Sequence, residues 1–307
     1  MKVIDKDVAM LSETLGIDVQ KLYQYSNNQP KHYTSCTIKK PNGKERKLSV
    51  PNKYLKYIQR QILDNLLYTL PISDYATAYC KGKKLADNAT EHIGKKKILK
   101  LDISGFFDSI DYEMVHAVFR RLKLSNAAVT LLSNICTLNS VLPQGAPTSP
   151  YIANLVMNYF DERVGVWCAE KGIFYTRYCD DMTFSGDFNE PKLIGYVNHM
   201  LTKQGFELNR SKSKCVHSSQ QQVVTGVVVN EKPQVSSEKR RKIIQEVYYC
   251  TKYGASDCIQ HLGLTISENE YINSLRGRIS FVLQINPDDK KMGDCFEEVC
   301  KLNRSKK

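Results

Sequence analysis

Apolar and polar residues alternate along segment 97–103, where Leu99 and Leu101 are interleaved with Lys100 and Asp102. Side chains of a β-strand point alternately to its two faces. One face of such a strand can therefore pack into a core while the other carries polar chemistry. The pattern predicts a strand that places Asp102 on its polar face.

Segment 173–186 predicts a β-hairpin with Tyr178-Cys179-Asp180-Asp181 at its turn. Adjacent carboxylates repel one another, and each raises the pKa of the other unless a cation neutralises them. An acidic turn that is only solvated is the alternative for such a pair taken alone, because turns favour Asp.

Helical spacing of apolar residues dominates the two ends of the chain. The first 30 or so residues predict a helical lead-in, and segment 237–254 predicts a long helix with a basic first turn. A second C-terminal helix is expected around 275–283, before Pro287. Between these ends, segment 37–50 predicts a hairpin that turns at Asn42-Gly43, and Asp111 is the expected N-cap of a helix.

Composition limits the class of protein. The chain has 307 residues, 42% of them hydrophobic, and a mean hydropathy of −0.40. It has no apolar run near the roughly 20 residues that span a bilayer, and its first residues do not resemble a secretory signal. We therefore expect a cytoplasmic protein without a membrane partner. The ten cysteines are scattered and form no Cys-X-X-Cys pair, which favours reduced thiols.

Positive charge is concentrated in one part of the chain. The net charge is +12, and segment 31–100 alone has sixteen Lys and Arg against five Asp and Glu. Five tyrosines lie within this segment. A basic block with interleaved aromatic residues is typical of a protein that binds a nucleic-acid backbone. Membrane-surface binding is the alternative, but three prolines prevent a single amphipathic helix there.

Four segments occur in an order that carries a family resemblance. Asp102 is followed by Pro143-Gln144-Gly145, then by the acidic hairpin, and then by segment 205–212, which contains Gly205 and Lys212. This order resembles the palm of reverse transcriptases. Asn88-Ala-Thr-Glu-His92 and Val224-Thr-Gly226 resemble elements of the retron branch of that family. One departure is Cys179, where Ala is commoner in the family.

The resemblance implies an α+β right-hand polymerase fold with fingers, a palm containing an antiparallel sheet, and a small helical thumb. We expect a lead-in at 1–35, fingers at 36–94, a catalytic palm at 95–235 and a thumb at 236–307. It also implies that Asp102, Asp180 and Asp181 are the catalytic residues and bind two Mg²⁺ ions. Oxygen ligands suit Mg²⁺, and two such ions can stabilise the attacking and leaving oxygens of a phosphoryl transfer.

The same resemblance assigns nucleotide-binding roles, and each has a plain structural alternative. Phe107 is expected beneath the incoming sugar, where it would exclude a 2′-hydroxyl, or else it is a core aromatic like Phe106. Gln144 is expected near the templating base pair. Arg46 is expected to bind the triphosphate, or it is a strand-edge charge. Lys212 is expected to protonate the leaving pyrophosphate, or it is simply solvated.

We expect Asn88 and His92 to contact RNA or to shape a loop, and we expect Lys95, Lys96 and Lys97 to bind RNA phosphates. The implied function is that of a retron reverse transcriptase. Such an enzyme uses deoxynucleoside triphosphates to copy part of a cognate non-coding RNA from an RNA 2′-hydroxyl, and the DNA product stays attached to the RNA. A role in defence against phage with an effector protein is also implied. The alternatives are a group II intron or diversity-generating reverse transcriptase, a template-free polymerase, and a non-catalytic RNA-binding scaffold.

Overall fold

A computed structural model describes residues 4–39, 43 and 45–304. Its helices and strands are numbered separately, each in chain order. The α-helices are α1 (Lys6–Leu15), α2 (Val19–Asn27), α3 (Lys53–Asn65), α4 (Leu85–Thr90), α5 (Tyr112–Arg120), α6 (Asn126–Cys136), α7 (Ser149–Ala169), α8 (Glu190–Thr202), α9 (Ser237–Tyr253), α10 (Ala255–His261), α11 (Glu268–Ile285) and α12 (Lys290–Arg304). The strands are β1 (Tyr33–Lys39), β2 (Glu45–Pro51), β3 (Lys97–Asp102), β4 (Phe174–Tyr178), β5 (Asp181–Gly186), β6 (Lys214–His217), β7 (Val223–Val224) and β8 (Val227–Val228).

The chain divides into two compact units. The first contains Met1–Lys83 and Leu99–Cys215, and the second contains Lys84–Ile98 and Val216–Lys307. The chain passes from one unit to the other within β3 and within β6. The division into lead-in, fingers, palm and thumb is a functional one and stays a prediction.

The predicted lead-in consists of two helices rather than one continuous helix. Gly16 ends α1 in the left-handed conformation, with a φ of 63°. The Asp18 side chain then caps α2 by accepting hydrogen bonds from the backbone N–H groups of Gln20 and Lys21. Because glycine adopts a positive φ without steric cost, the break occurs at Gly16.

The predicted N-terminal hairpin is confirmed. Strands β1 and β2 pair antiparallel, with Ile38 opposite Arg46 and Lys39 opposite Glu45. Of the predicted turn, Asn42 lies outside the described residues, whereas Gly43 has a φ of 77°.

A four-stranded sheet forms the centre of the first unit, in the order β4-β5-β3-β6. Its buried face confirms the predicted alternation, because Leu99 and Leu101 are almost fully buried. Helix α7 packs against β4. Helix α5 starts where predicted, since the Asp111 side chain accepts a hydrogen bond of 2.9 Å from the Met114 N–H. This sheet positions both acidic segments.

The second unit has its own hydrophobic core and is mainly helical. The prediction of a helix at 237–254 is confirmed by α9. The prediction of a short helix at 275–283 was wrong in extent, because Ser267 and Glu270 form a capping box that starts α11 at Glu268. Helices α10 and α12 were not predicted. Among the described helices, none is both long and apolar enough to cross a bilayer.

Candidate active site

The end of β3 lies beside the turn of the acidic hairpin. The Ile103 N–H donates a 3.1 Å hydrogen bond to the backbone oxygen of Asp180. Asp102, the residue before it, is only 5% exposed. The sheet order, which places β5 next to β3, thus brings the two predicted acidic segments together.

The hairpin turn is as short as a turn can be. Tyr178 pairs with Asp181, so Cys179 and Asp180 alone form the loop. Cys179 has a φ of 61°. Two-residue hairpin loops favour a positive φ at the first loop position, but a residue with a Cβ adopts it at some cost. Asp180 therefore projects from a sharp, strained turn.

The electrostatics of Asp181 show that the three carboxylates converge. Partial removal from water, followed by the charges of Asp180 and Asp102, raises the pKa of Asp181 to about 6, while Lys212 and Lys100 oppose this rise. The residue keeps substantial exposed surface, so only the direction and cause are used here. A carboxylate with a raised pKa among like charges fits a site that a divalent cation would neutralise.

Segment 205–212 supplies two further partners for Asp102. Its backbone continues beside β3, because the Asn209 N–H donates to the Asp102 backbone oxygen over 2.8 Å. The Asn209 side-chain amide donates to Asp102 Oδ2 over 3.1 Å, and Lys212 Nζ lies 2.6 Å from Asp102 Oδ1. The hydrogen bond to Asp102 raises the pKa of Lys212, which keeps the ammonium charged.

Lys212 therefore provides the positive charge nearest Asp102 in this arrangement. Within the described part of the chain, no three or more His, Cys, Asp or Glu side chains are grouped so that they could hold a metal ion as they stand. The donor set of Asp102, Asp180 and Asp181 nevertheless has the chemistry that a hard divalent cation requires.

The Pro-Gln-Gly loop is joined to the N-terminal hairpin. The Ser49 N–H of β2 donates to the backbone oxygen of Gln144 over 2.8 Å. Gly145 has a φ of 125°, and a Cβ on it would lie 2.8 Å from the Ser49 oxygen. Only glycine allows this approach, so the predicted need for Gly145 has a direct steric cause.

Tyr79 is a residue at this site that the sequence did not reveal. Burial, then the charges of Cys179, Tyr178 and Asp180, raise the pKa of Tyr79, and Arg46 lowers it. Tyr79 therefore lies within electrostatic reach of both Arg46 and the acidic turn. Its φ of 57° is unusual for a non-glycine residue, and no sequence signal indicates it.

The two phenylalanines after Asp102 differ in burial. Phe106 is 4% exposed and packs against Phe206. Phe107 is only partly buried at the edge of the same core, with its ring centroid 5.6 Å from that of Phe106. The difference is compatible with the predicted sugar-facing role of Phe107, which stays a prediction.

The two retron-like elements pack against each other in the second unit. The Asn88 amide donates to the Thr225 hydroxyl over 3.4 Å. Asn88 and His92 are both fully buried, which favours the loop-shaping alternative over direct contact of these side chains with RNA. Lys96 is exposed, and Lys95 and Lys97 are partly exposed.

The chain belongs to the reverse transcriptases. The family model described as reverse transcriptase (RNA-dependent DNA polymerase) matches residues 38–266. The predicted fold class and the enzyme class, an RNA-directed DNA polymerase, are thereby confirmed. Enzymes of this family use divalent metal ions and an RNA template.

Two relatives define the branch. The retron Ec86 reverse transcriptase of Escherichia coli is 30% identical over 302 residues, which cover 96% of this chain and 88% of the relative. The retron Ec83 reverse transcriptase of the same organism is 33% identical over 286 residues, covering 86% of this chain and 88% of the relative. The chain is a retron-type reverse transcriptase. Among solved structures, telomerase from Candida albicans matches with a TM-score of 0.49 and 10% identity, over 92% of this chain and 66% of that one, which is too low to add to this assignment.

Proposed function

We propose that this protein copies part of a cognate structured RNA into DNA, that it starts from a 2′-hydroxyl within that RNA, and that the DNA stays joined to the RNA as a branch. The observation that carries the catalytic part is the convergence of Asp102, Asp180 and Asp181, expressed in the raised pKa of Asp181. The priming mode is supported by the relationship to retron enzymes.

Asp102, Asp180 and Asp181 would hold two Mg²⁺ ions in this proposal. Bound there, such ions stabilise the attacking and leaving oxygens of an in-line phosphoryl transfer. The protein itself contributes a stiff frame, because Asp102 is held by β3 and Asp180 by the two-residue turn. Lys212 is protonated at neutral pH and lies against Asp102, so it can supply a proton to departing pyrophosphate.

The fingers hairpin and the Pro-Gln-Gly loop would hold the incoming deoxynucleoside triphosphate. Their connection through Ser49 and Gln144 means that a movement of one is transmitted to the other. Arg46 offers a guanidinium to the phosphates, Phe107 would exclude a ribose 2′-hydroxyl, and Gln144 would lie near the templating base.

The RNA would be held mainly by charge. Lys95, Lys96 and Lys97 follow the buried element that contains Asn88 and His92, so that element would present these three lysines to RNA phosphates. We further propose action in the cytoplasm, in defence against phage and together with an effector protein. A plating assay with and without the intact enzyme and its RNA tests the defensive role.

Sequencing the nucleic acid that copurifies with the protein tests the proposed reaction. We expect one discrete RNA, with DNA attached through a 2′-linkage that survives digestion of the remaining RNA. The Asp180→Asn variant is the matched control and should copurify with the same RNA without DNA. Heterogeneous RNA, or DNA with a free 5′ end, would contradict the retron-type reaction.

A further inference from the structure

A buried ion pair lies directly beneath the acidic turn. Arg177 is in β4, three residues before Asp180, and Asp161 is in α7. Both side chains are completely buried. The guanidinium binds the carboxylate in a two-point contact, with Nε 2.8 Å from Oδ1 and Nη2 2.6 Å from Oδ2. Burial opposes the charge on Arg177, but Asp161 outweighs that effect and raises its pKa.

The remaining contacts of this pair fix the guanidinium in place. Tyr175 donates its hydroxyl to Asp161 Oδ1 over 2.8 Å. Arg177 Nη1 donates to Asn154 Oδ1 over 3.1 Å and to the backbone oxygen of Cys179 over 2.9 Å. The last contact is the important one, because that oxygen belongs to the peptide unit that leads into Asp180.

The turn at Cys179 needs such an anchor. A cysteine with a φ of 61° is less stable than one with an extended backbone, and it persists only where surrounding contacts hold it. Release of its carbonyl would let the peptide between Cys179 and Asp180 rotate. The carboxylate of Asp180 would move with it.

We propose that Arg177, oriented by Asp161 and Asn154, is a positioning residue that holds the Cys179–Asp180 peptide and thereby aims the Asp180 carboxylate. The proposal rests on the catalytic role proposed for Asp180. A purely stabilising role is the rival, but buried ion pairs are in general weak contributors to stability and can often be replaced by apolar residues. The bond from Nη1 to the turn has no place in that rival.

Arg177→Lys is the direct test, because lysine keeps the charge but cannot bind Asp161 at two points and also reach the Cys179 oxygen. We expect kcat for deoxynucleotide addition to fall on the order of 100-fold, as for a small misplacement of a reacting group. KM for the nucleotide should stay nearly constant, and the Mg²⁺ concentration for half-maximal rate should rise. Tyr175→Phe is the matched control: it removes one bond to Asp161, leaves the turn contact, and should keep kcat.

A rescue experiment separates positioning from stability. Adding Cys179→Gly to Arg177→Lys should recover kcat by on the order of 10-fold, because glycine adopts a positive φ without an anchor. If Arg177→Lys does not fold, the Arg177→Met/Asp161→Leu double variant takes its place, since it leaves no unpaired buried charge. Wild-type kcat and Mg²⁺ dependence in a folded Arg177 variant would overturn the proposal. So would a loss that matches the unfolded fraction and is not rescued. Asp180→Asn, assayed in parallel, distinguishes the two claims: its full activity would refute the proposed triad itself.

Discussion

Gly145→Ala should both destabilise the protein and disable it. The new Cβ would lie 2.8 Å from the Ser49 oxygen, and the backbone has a φ of 125°. A residue in such a conformation costs about 1–3 kcal/mol. Loss of the hydrogen bond between Ser49 and Gln144 adds about 0.5–1.5 kcal/mol. We therefore expect the free energy of unfolding to fall by about 2–4 kcal/mol.

Two other glycines provide controls that separate strain from collision. Gly172 has a φ of 65° and no atom within 4 Å of a Cβ built on it, so Gly172→Ala reports strain alone. Gly195, inside α8, has open space and an ordinary φ, so Gly195→Ala should be neutral or stabilising by up to about 1 kcal/mol. Urea unfolding gives the stability of each variant.

Single-nucleotide incorporation by the folded protein gives the functional effect of the same series. Because Gly145→Ala moves Gln144 away from β2, we expect kcat to fall on the order of 100-fold. Neither control should change kcat appreciably. If Gly145→Ala matched Gly172→Ala in both stability and kcat, the steric connection between the loop and the hairpin would be refuted.

Three further predictions concern other parts of the protein. Phe107→Ala should reduce the preference for deoxynucleotides on the order of 10-fold in matched incorporation assays; unchanged preference would make Phe107 a core residue. In metal-free buffer, the raised pKa of Asp181 means that protonation stabilises the fold, and this stability should be lost as pH rises from about 4 to about 6. The difference in unfolding free energy between wild type and Asp181→Asn should follow that window, and a flat difference would contradict the pKa. Changing three lysines to Gln should lower the slope of log affinity against log salt by about 1 per lost phosphate contact, equally for cognate and random RNA, in a filter-binding titration of a variant of Lys95, Lys96 and Lys97.

The sequence was most informative where one short segment decides its own structure. Alternation in β3 and the tyrosine–aspartate hairpin predicted strands that the structure confirms, because strand faces and tight turns depend on neighbouring residues. Asp111 was recognisable as an N-cap for the same reason.

The contacts that the sequence did not reveal depend on residues far apart in the chain. Arg177 and Asp161 look like ordinary charged residues until β4 and α7 pack together. The conformation of Tyr79 likewise has no local signature. The start of α11 was missed because its first turns are polar, although Ser267 and Glu270 form a capping box that a closer reading of the sequence could have found.

The central claim is that this reverse transcriptase makes DNA with the carboxylates of Asp102, Asp180 and Asp181. The most direct measurement is the single-turnover rate of DNA synthesis on bound RNA in Mg²⁺, for wild type and for Asp180→Asn, with RNA affinity measured on the same preparations. The account predicts a loss of several orders of magnitude in rate, with RNA affinity unchanged, since this substitution keeps the size of the side chain and removes one charge that would bind metal. Appreciable DNA synthesis by Asp180→Asn would contradict it.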